Sequence, residues 1–244
     1  MKTGHSFKQA VLILACSVAL LPSVFMILTA LKSQEEYTFN KVGLPDALVG
    51  AHFWAILFDS PFFLWMLNSA ILAFGAVVLG TLVSCTGAYA IARMEFRGRD
   101  TIFAISTSLM AVPPVVMIVP LFVLYTQLGL ISTFSGAIVI YAGLITPFSV
   151  YLLTTFFRTV PQELFDAAVI DGAKHHQILR HVVLPLAVPA LLTLVVVNAL
   201  FVWNDLLIAV IFLQEDGKRT LMAGISVFQG RYNNQIPLSM AGMV

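Results

Sequence analysis

Residues 101–157 are TIFAISTSLMAVPPVVMIVPLFVLYTQLGLISTFSGAIVIYAGLITPFSVYLLTTFF, and none of them is charged. A membrane-spanning helix needs about 20 apolar residues to cross a hydrocarbon core of about 30 Å. At about 1.5 Å per residue, one helix over this stretch would be roughly 85 Å long. The chain therefore has to turn back within it, and we place the turn at QLGLIST, residues 127–133. The stretch predicts two membrane spans, over residues 102–125 and 134–157.

The composition of the whole chain agrees with an integral membrane protein. Of its 244 residues, 59% are hydrophobic and 10% are charged, whereas soluble domains average about 45–50% and about 25%. This balance excludes a water-soluble enzyme, because too few polar side chains are present to cover a globular surface. It also excludes a disordered chain, which has the opposite composition. The net charge of +1 without a basic run gives no support for a nucleic-acid partner. A lipid bilayer is the expected environment.

The other apolar stretches predict spans over residues 10–31, 64–92 and 184–213, and a sixth that begins at 235 and is incomplete at 244. A signal peptide is the alternative for the first, but the stretch is long for one and no small-residue cleavage site follows it. Lys and Arg favour an inner N-terminus, because eight of them then lie inside and five outside. The prediction is an all-α protein with one transmembrane domain over residues 1–244.

Residues 158–183, here called the 158–183 segment, differ from the spans because they are polar and amphipathic. Pro161 suits the first turn of a helix, and Asp171-Gly172 is a strong break signal. A second short helix is predicted over 174–183, ended by Leu184-Pro185. Two short helices joined at a glycine suit docking into a cleft of another protein. The alternative is an amphipathic pair lying on the lipid headgroups.

The same segment contains a recognisable pattern. Asp166-Ala167-Ala168 is followed by three residues and Gly172, then by nine residues and Val182, then by one residue and Leu184-Pro185. This spacing resembles the EAA loop of binding-protein-dependent ABC importer permeases, with Asp166 in place of the usual Glu and Val182 in place of the usual Ile. Softer motifs resemble the second permease of maltose-type sugar importers: NS at 68–69, GAYAIAR at 87–93, IDGA at 170–173 and WND at 203–205.

The resemblance implies a bundle of six transmembrane helices, five complete here and the sixth truncated, with a cytoplasmic coupling-helix pair at 158–183. It implies a non-enzymatic, multi-pass permease in the inner membrane of a prokaryote, with a second permease subunit, two cytoplasmic ATPase subunits and an extracytoplasmic solute-binding protein. ATP and Mg would bind to the ATPase subunits, since this sequence contains no P-loop. The residues implied in coupling are Asp166, Ala167, Ala168, Asp171, Gly172, Ala173, Leu184 and Pro185.

Two further sets of residues are candidate sites. Asp205 is the only carboxylate inside a predicted span, which favours a place for Asn204 and Asp205 on the translocation pathway. The alternative is an Asp205 near the outer end that snorkels or is capped by Asn204. In maltose-type relatives the loop after the fifth span reaches into the binding protein. The resemblance therefore implies a contact from Glu215, Asp216, Gly217 and Lys218.

Competing functions have less support in the sequence. A permease for a polyamine or an amino acid would have the same architecture. An ion-coupled secondary transporter needs inverted repeats and several ionisable groups near the midplane, and an intramembrane hydrolase needs a Ser–His pair or paired Asp. No metal site is expected, because the histidines at 175, 176 and 181 form no His-Glu-x-x-His motif.

Overall fold

The structure is a computed structural model that describes residues 2–230 and 233–244. The regular secondary structure of the described residues is helical except for a short antiparallel pair, β1 (Gln229–Gly230) and β2 (Asn233–Asn234). It separates into two compact units, Met1–Met66 with Leu221–Val244, and Leu67–Thr220. One permease domain over residues 1–244 stays a prediction.

The helices are named in chain order. They are α1 (Lys2–Ala30), α2 (Gln34–Phe39), α3 (Ala51–Trp54), α4 (Phe62–Arg93), α5 (Arg99–Leu109), α6 (Pro114–Gln127), α7 (Phe134–Thr159), α8 (Gln162–Ile170), α9 (His175–Ile178), α10 (Leu184–Leu186), α11 (Val188–Asn204), α12 (Leu207–Phe212), α13 (Leu221–Ser226) and α14 (Ile236–Met243). One π turn follows α3 over Ala55–Asp59, another follows α9 over Leu179–Val183, and a 3-10 turn covers Asp216–Lys218.

In the first unit, α1 includes the predicted span over 10–31, and its stretch Val11–Ala30 is long and apolar enough to cross a membrane. Its apolar side chains are exposed over most of this length, which suits contact with lipid. Only the last turn is packed: Ala30 joins Ile56, Leu238 and Ala241 in an apolar cluster. The last two belong to α14, which occupies the place predicted for the start of a sixth span.

Two continuous helices of the second unit, α4 and α7, cover the spans predicted over 64–92 and 134–157, and both are long and apolar enough to cross a membrane. Small residues at every fourth position of α4 let it approach α7 closely. Ala76, Gly80, Ser84 and Ala88 are all buried, and a Cβ added at Gly80 would lie 2.8 Å from the Ile145 side chain of α7. The stripe therefore brings α4 close to α7 at Gly80.

The span predicted over 102–125 is not one continuous helix, although the two helices found there could together form one span. The chain forms α5 and α6 instead, which are bent by 100° across a short break. Neither Pro113 nor Pro114 has an N–H to donate, and a proline ring clashes with the carbonyl four residues earlier. Pro113 is accordingly extended, with ψ of 132°. Residues 110–112 form tight turns, in which each backbone N–H donates to the carbonyl of the residue three positions earlier. The two prolines therefore separate α5 from α6 rather than kink one continuous helix.

The span predicted over 184–213 is not one continuous helix either, because it is interrupted twice. The stretch His175–Leu186 bends by 79° against α11, at Ala187, two residues before Pro189. This places the end of the second short helix at Leu186 rather than at Leu184-Pro185. The second interruption is at Asp205, which is extended, with ψ of 126°. The described residues thus contain three continuous helices that could span, or up to five spans if each bent pair is one.

Candidate functional site

The 158–183 segment folds as two short helices, α8 and α9 with its π turn, as its sequence predicts. Gly172 ends α8 with φ of +78°, a left-handed conformation that favours glycine. Its N–H donates to the carbonyl of Val169 at 3.0 Å, and the Ala173 N–H donates to that of Ala168 at 2.9 Å. These two bonds are the Schellman pattern, which satisfies the last carbonyls of a helix and turns the chain sharply.

One face of this segment is fixed to the second unit. Phe165 of α8 and Ile178 of α9 are buried in an apolar cluster with Tyr89 of α4, Leu153 of α7 and Leu194 of α11. The hydroxyl of Tyr89 also lies 3.3 Å from Nδ1 of His175. Both short helices therefore pack against the long helices through apolar side chains.

The opposite face is exposed and partly apolar. Ile170 is 85% exposed and Val169 is 60% exposed, at the tip where α8 meets the turn. Of the predicted coupling residues, Asp166, Ala167, Asp171, Gly172 and Pro185 are exposed, whereas Ala168, Ala173 and Leu184 are partly buried. Val169 and Ile170, which are not among the predicted coupling residues, carry the large exposed apolar side chains of this tip.

Arg93, the last residue of α4, connects three helices. Its guanidinium donates to the backbone carbonyls of Phe157 and Val160 at the end of α7. It also donates to Oε1 of Gln162 at 3.0 Å, at the start of α8. The same group lies 4.1 Å from the ring centroid of Phe165, within the range of a cation–π contact. A positive charge at the C-terminus of α7 is also favourable for the helix dipole.

At the second candidate site, Asp205 acts as a helix cap. Its Oδ1 accepts hydrogen bonds from the N–H of Ile208 at 2.9 Å and of Ala209 at 3.4 Å, in the first turn of α12. It also accepts a hydrogen bond from the Tyr141 hydroxyl of α7 at 2.8 Å. Asn204 is exposed and donates to the carbonyl of Leu200 in its own helix. These contacts show what holds Asp205 in place, and the pathway role of both residues stays a prediction.

The third candidate site is the loop between α12 and α13, here called the 213–220 loop. Asn68 of α4 donates through its amide to the carbonyls of Gly217 and Arg219, at 3.0 and 2.9 Å. On the other side, Ser132 accepts from the Lys218 ammonium at 2.6 Å through its carbonyl, and from the Gln214 N–H at 3.0 Å through its hydroxyl. The loop is therefore attached at both α4 and the turn before α7.

Two ion pairs act within this loop. Lys218 lies 2.8 Å from Glu215, and Arg219 lies 2.6 Å from Asp216. Both carboxylates remain largely exposed, and Gly217 between the charged pairs is exposed as well. The predicted contact residues are thus presented together on one preformed turn.

These features agree with a match to a family model. Residues 76–244 match the family described as the binding-protein-dependent transport system inner membrane component. The chain belongs to this family. Its members are components of membrane transport systems rather than enzymes, and the matched residues include the 158–183 segment, Asp205 and the 213–220 loop.

Curated relatives support the same placement. A protein of Caldicellulosiruptor sp. (strain Rt8B.4) named as an ABC transporter permease, ORF2, is 33% identical over 92% of this chain and 82% of its own. The sulfoquinovosyl glycerol transport system permease protein SmoH of Agrobacterium fabrum is 30% identical over 92% of this chain and 79% of its own. The melibiose/raffinose/stachyose import permease protein MelC of Bacillus subtilis is 30% identical over 94% and 83%.

A solved structure has the same fold. It is a crystal structure of a bacterial ABC transporter involved in the import of the acidic polysaccharide alginate. The match has a TM-score of 0.80 with 24% identity, and it covers 97% of this chain and 88% of that chain. At this identity the likeness establishes the permease fold.

Some residues that shape these sites were not singled out from the sequence. Arg93 was counted only as a charge that sets orientation, and Asn68 was quoted only as part of a motif. Tyr141 gave no signal, because an apolar helix can place a tyrosine on any face. Among residues 2–230 and 233–244, no group of three or more His, Cys, Asp or Glu side chains could hold a metal ion.

Proposed function

We propose that this chain is the permease subunit of an ATP-driven importer for a sugar or oligosaccharide, and that its 158–183 segment docks on an ATPase subunit. The single observation that carries the proposal is the exposed apolar tip at Val169 and Ile170, next to a capped turn and opposite a buried anchor. Burying a large aliphatic side chain is favourable by about 1.5–3 kcal/mol. A partner with a matching cleft would supply that burial.

The charges of α8 favour a protein partner over lipid. Glu163, Asp166 and Asp171 lie on or directly after this helix, and the stretch 162–171 contains no Lys or Arg. Anionic headgroups attract basic segments and repel acidic ones. A cleft with basic groups therefore suits α8 better than the membrane surface, which was the alternative from the sequence.

The proposed complex contains a second permease subunit, two cytoplasmic ATPase subunits that bind ATP and Mg, and an extracytoplasmic solute-binding protein. With the N-terminus inside, the 158–183 segment faces the ATPase subunits and the 213–220 loop faces the binding protein. ATP-driven movement of the ATPase subunits would move α8 and α9 and shift the helices between inward-open and outward-open states. Such coupling requires the partner to contact the two states differently.

The broken helices indicate that one chain alone forms only part of the solute pathway. Irregular backbone at membrane depth is tolerated only where protein covers it or where it lines an aqueous cavity. Residues 110–113, at the break between α5 and α6, are exposed in this chain. We propose that this break, and the one at Asn204 and Asp205, face the second permease subunit across the solute pathway.

The solute class rests on the relatives. SmoH is named for the transport of sulfoquinovosyl glycerol, and MelC is named for the import of melibiose, raffinose and stachyose. A carbohydrate is therefore the proposed solute here. A permease for a polyamine or an amino acid is the second candidate, and an ion-coupled secondary transporter is less well supported.

The test is purification and reconstitution. We expect the tagged chain, extracted in mild detergent, to retain a second permease and two ATPase subunits, and the proteoliposomes to take up an oligosaccharide only with ATP and the binding protein. Uptake of spermidine or of an amino acid instead would contradict the sugar assignment. Uptake driven by an ion gradient without ATP would contradict the importer class.

A further inference from the structure

The helix α4 is attached to both segments that the proposed function places against partners. Asn68, near its start, bonds to the 213–220 loop, and Arg93, its last residue, bonds to α7 and α8. These two residues are 25 positions apart, which is about 37 Å along a helix. A single continuous helix thus joins the two segments.

The attachment at Asn68 is buried and two-fold. The residue is 3% exposed, and both hydrogen bonds come from its one amide nitrogen, to the carbonyls of Gly217 and Arg219. A buried amide that lost these partners would leave polar groups unsatisfied, which is unfavourable. The position of α4 and the conformation of the loop are therefore linked.

The attachment at Arg93 is a forked set of hydrogen bonds from one guanidinium group to two helices. A guanidinium has several donors in a fixed plane, and here they reach two carbonyls at the end of α7 and one side chain of α8. Gln162, which receives one of these bonds, in turn donates to Asp166 at 3.0 Å. Movement of α8 would therefore act directly on the end of α4.

Between these ends, α4 is packed against α7 along the buried small residues, without a break in either helix. The other two spans of the second unit are broken and bent. A tightly packed helix pair is displaced as a unit, since close-packed interiors transmit strain. A shift at one end of α4 would therefore be felt at the other.

We propose that α4 transmits the state of the 213–220 loop to the 158–183 segment, and that Asn68 and Arg93 are the positioning residues at its two ends. The proposal rests on the proposed function, because it names how liganded binding protein on one side would stimulate ATP hydrolysis on the other. Neither residue contacts solute or nucleotide in this account.

The test is a double-mutant cycle in the reconstituted complex. Asn68→Asp keeps the size of the side chain and removes its amide donor, and Arg93→Gln removes the fork. The readout is the stimulation of ATP hydrolysis by liganded binding protein, beside hydrolysis without it. Arg97→Gln, an exposed arginine four residues beyond Arg93, is the matched control and is expected to behave as the wild type.

We expect each single variant to assemble, to keep unstimulated hydrolysis, and to lose about tenfold in stimulation, within the usual range for coupling between distant sites. The double variant should lose about tenfold as well, because both changes interrupt one connection. Distant, independent sites normally have additive effects on free energy. A loss in the double variant that equals the product of the single losses, or no loss in either single variant, overturns the proposal.

Two further measurements cover other outcomes. If either variant fails to assemble, Asn68→Ser and Arg93→Lys replace it in the same cycle. In the wild-type complex, liganded binding protein should change amide hydrogen exchange in the 158–183 segment, and Asn68→Ser should weaken that change. An unchanged exchange pattern in a wild-type complex whose ATP hydrolysis is stimulated contradicts the proposal. A wild-type complex without any stimulation contradicts the proposed function instead.

Discussion

The 158–183 segment and the 213–220 loop are attached to opposite ends of α4, but by different kinds of contact. The first is held by buried apolar side chains, Phe165 and Ile178, together with the guanidinium of Arg93. The second is held by polar contacts to the backbone, from Asn68 and through Ser132. Their exposed surfaces also differ: the tip of the 158–183 segment is aliphatic, whereas the 213–220 loop is charged.

This difference indicates two kinds of interface. An aliphatic tip gains most from a close-fitting, water-excluding cleft, which suits a partner that stays bound. A charged loop with internal ion pairs is stable in contact with water when no partner is bound, and each exposed ion pair contributes little free energy to binding. This suits a partner that binds and leaves, as a solute-binding protein does.

The largest effect is expected from Ile170→Ser. The side chain is 85% exposed in the free chain, so the substitution should alter the stability of the chain itself by no more than about 0.5 kcal/mol. Its loss from an interface should weaken binding of the ATPase subunit by roughly 10- to 100-fold, the equivalent of about 1.5–3 kcal/mol. Titration of the purified ATPase subunit onto the permease pair measures this. Val42→Ser, at another exposed aliphatic residue, is the control, and equal binding by both variants would remove the tip from the interface.

The next effect is expected from Gly172→Val. A Cβ at this position would have no other atom within 4 Å. Any effect within the chain therefore has to come from the backbone, whose φ is +78°. A left-handed conformation costs an L-residue about 1–2 kcal/mol, roughly tenfold in population. Stimulated ATP hydrolysis should fall by about that factor, with the protein still in the membrane.

Gly172→Asn is the matched variant, because asparagine tolerates the left-handed region. Since it should avoid most of the cost of about 1–2 kcal/mol that valine incurs, it should retain stimulation within about threefold of the wild type. Equal losses in both variants would show that bulk, rather than the turn, matters at this position. Full stimulation in the valine variant would mean that the segment is not the coupling element.

A smaller effect is expected at Asp205, whose cap on α12 supports the start of the 213–220 loop. Asp205→Ala removes the cap and should lower the stability of the chain by about 0.5–2 kcal/mol, seen as a lower Tm. Asp205→Asn keeps a good capping residue and should leave Tm and assembly near those of the wild type. Uptake by the asparagine variant then tests the predicted pathway role, since unchanged uptake leaves the cap as the whole role of Asp205.

The smallest effect is expected from Asp166→Ala. Its carboxylate is exposed and accepts one hydrogen bond, from Gln162 at 3.0 Å. Exposed charges contribute about 0.2–1 kcal/mol, so stimulated hydrolysis should fall by less than about fivefold. A fall as large as that of Gly172→Val would show that Asp166 meets a desolvated basic group of the ATPase.

The continuous spans could be predicted because charge is excluded from a hydrocarbon environment, so gaps in charge mark α4 and α7 directly. The turn at Gly172 could be predicted because glycine is favoured at a positive φ. The helix breaks were harder to predict. The two adjacent prolines at 113 and 114 indicate an irregular helix, but the sequence does not distinguish a kink from a 100° bend.

The capping of Asp205 and the role of Arg93 could not be predicted, because both depend on residues far away in sequence. Asp205 ends a helix without a nearby proline or glycine, and its position depends on Tyr141 of another helix. Arg93 looks like any positive charge at the end of a span until the end of α7 and the start of α8 are placed beside it.

The most direct test is crosslinking from the two tips of one complex. The exposed Cys16 is first replaced by serine, since Cys85 is buried. A single cysteine is then placed by Ile170→Cys or by Gly217→Cys, and a short bifunctional reagent is added in the presence of all subunits. The account predicts that Ile170→Cys captures an ATPase subunit and that Gly217→Cys captures liganded binding protein, each without the other. Capture of the same partner from both positions, or capture with the partners exchanged, would contradict it.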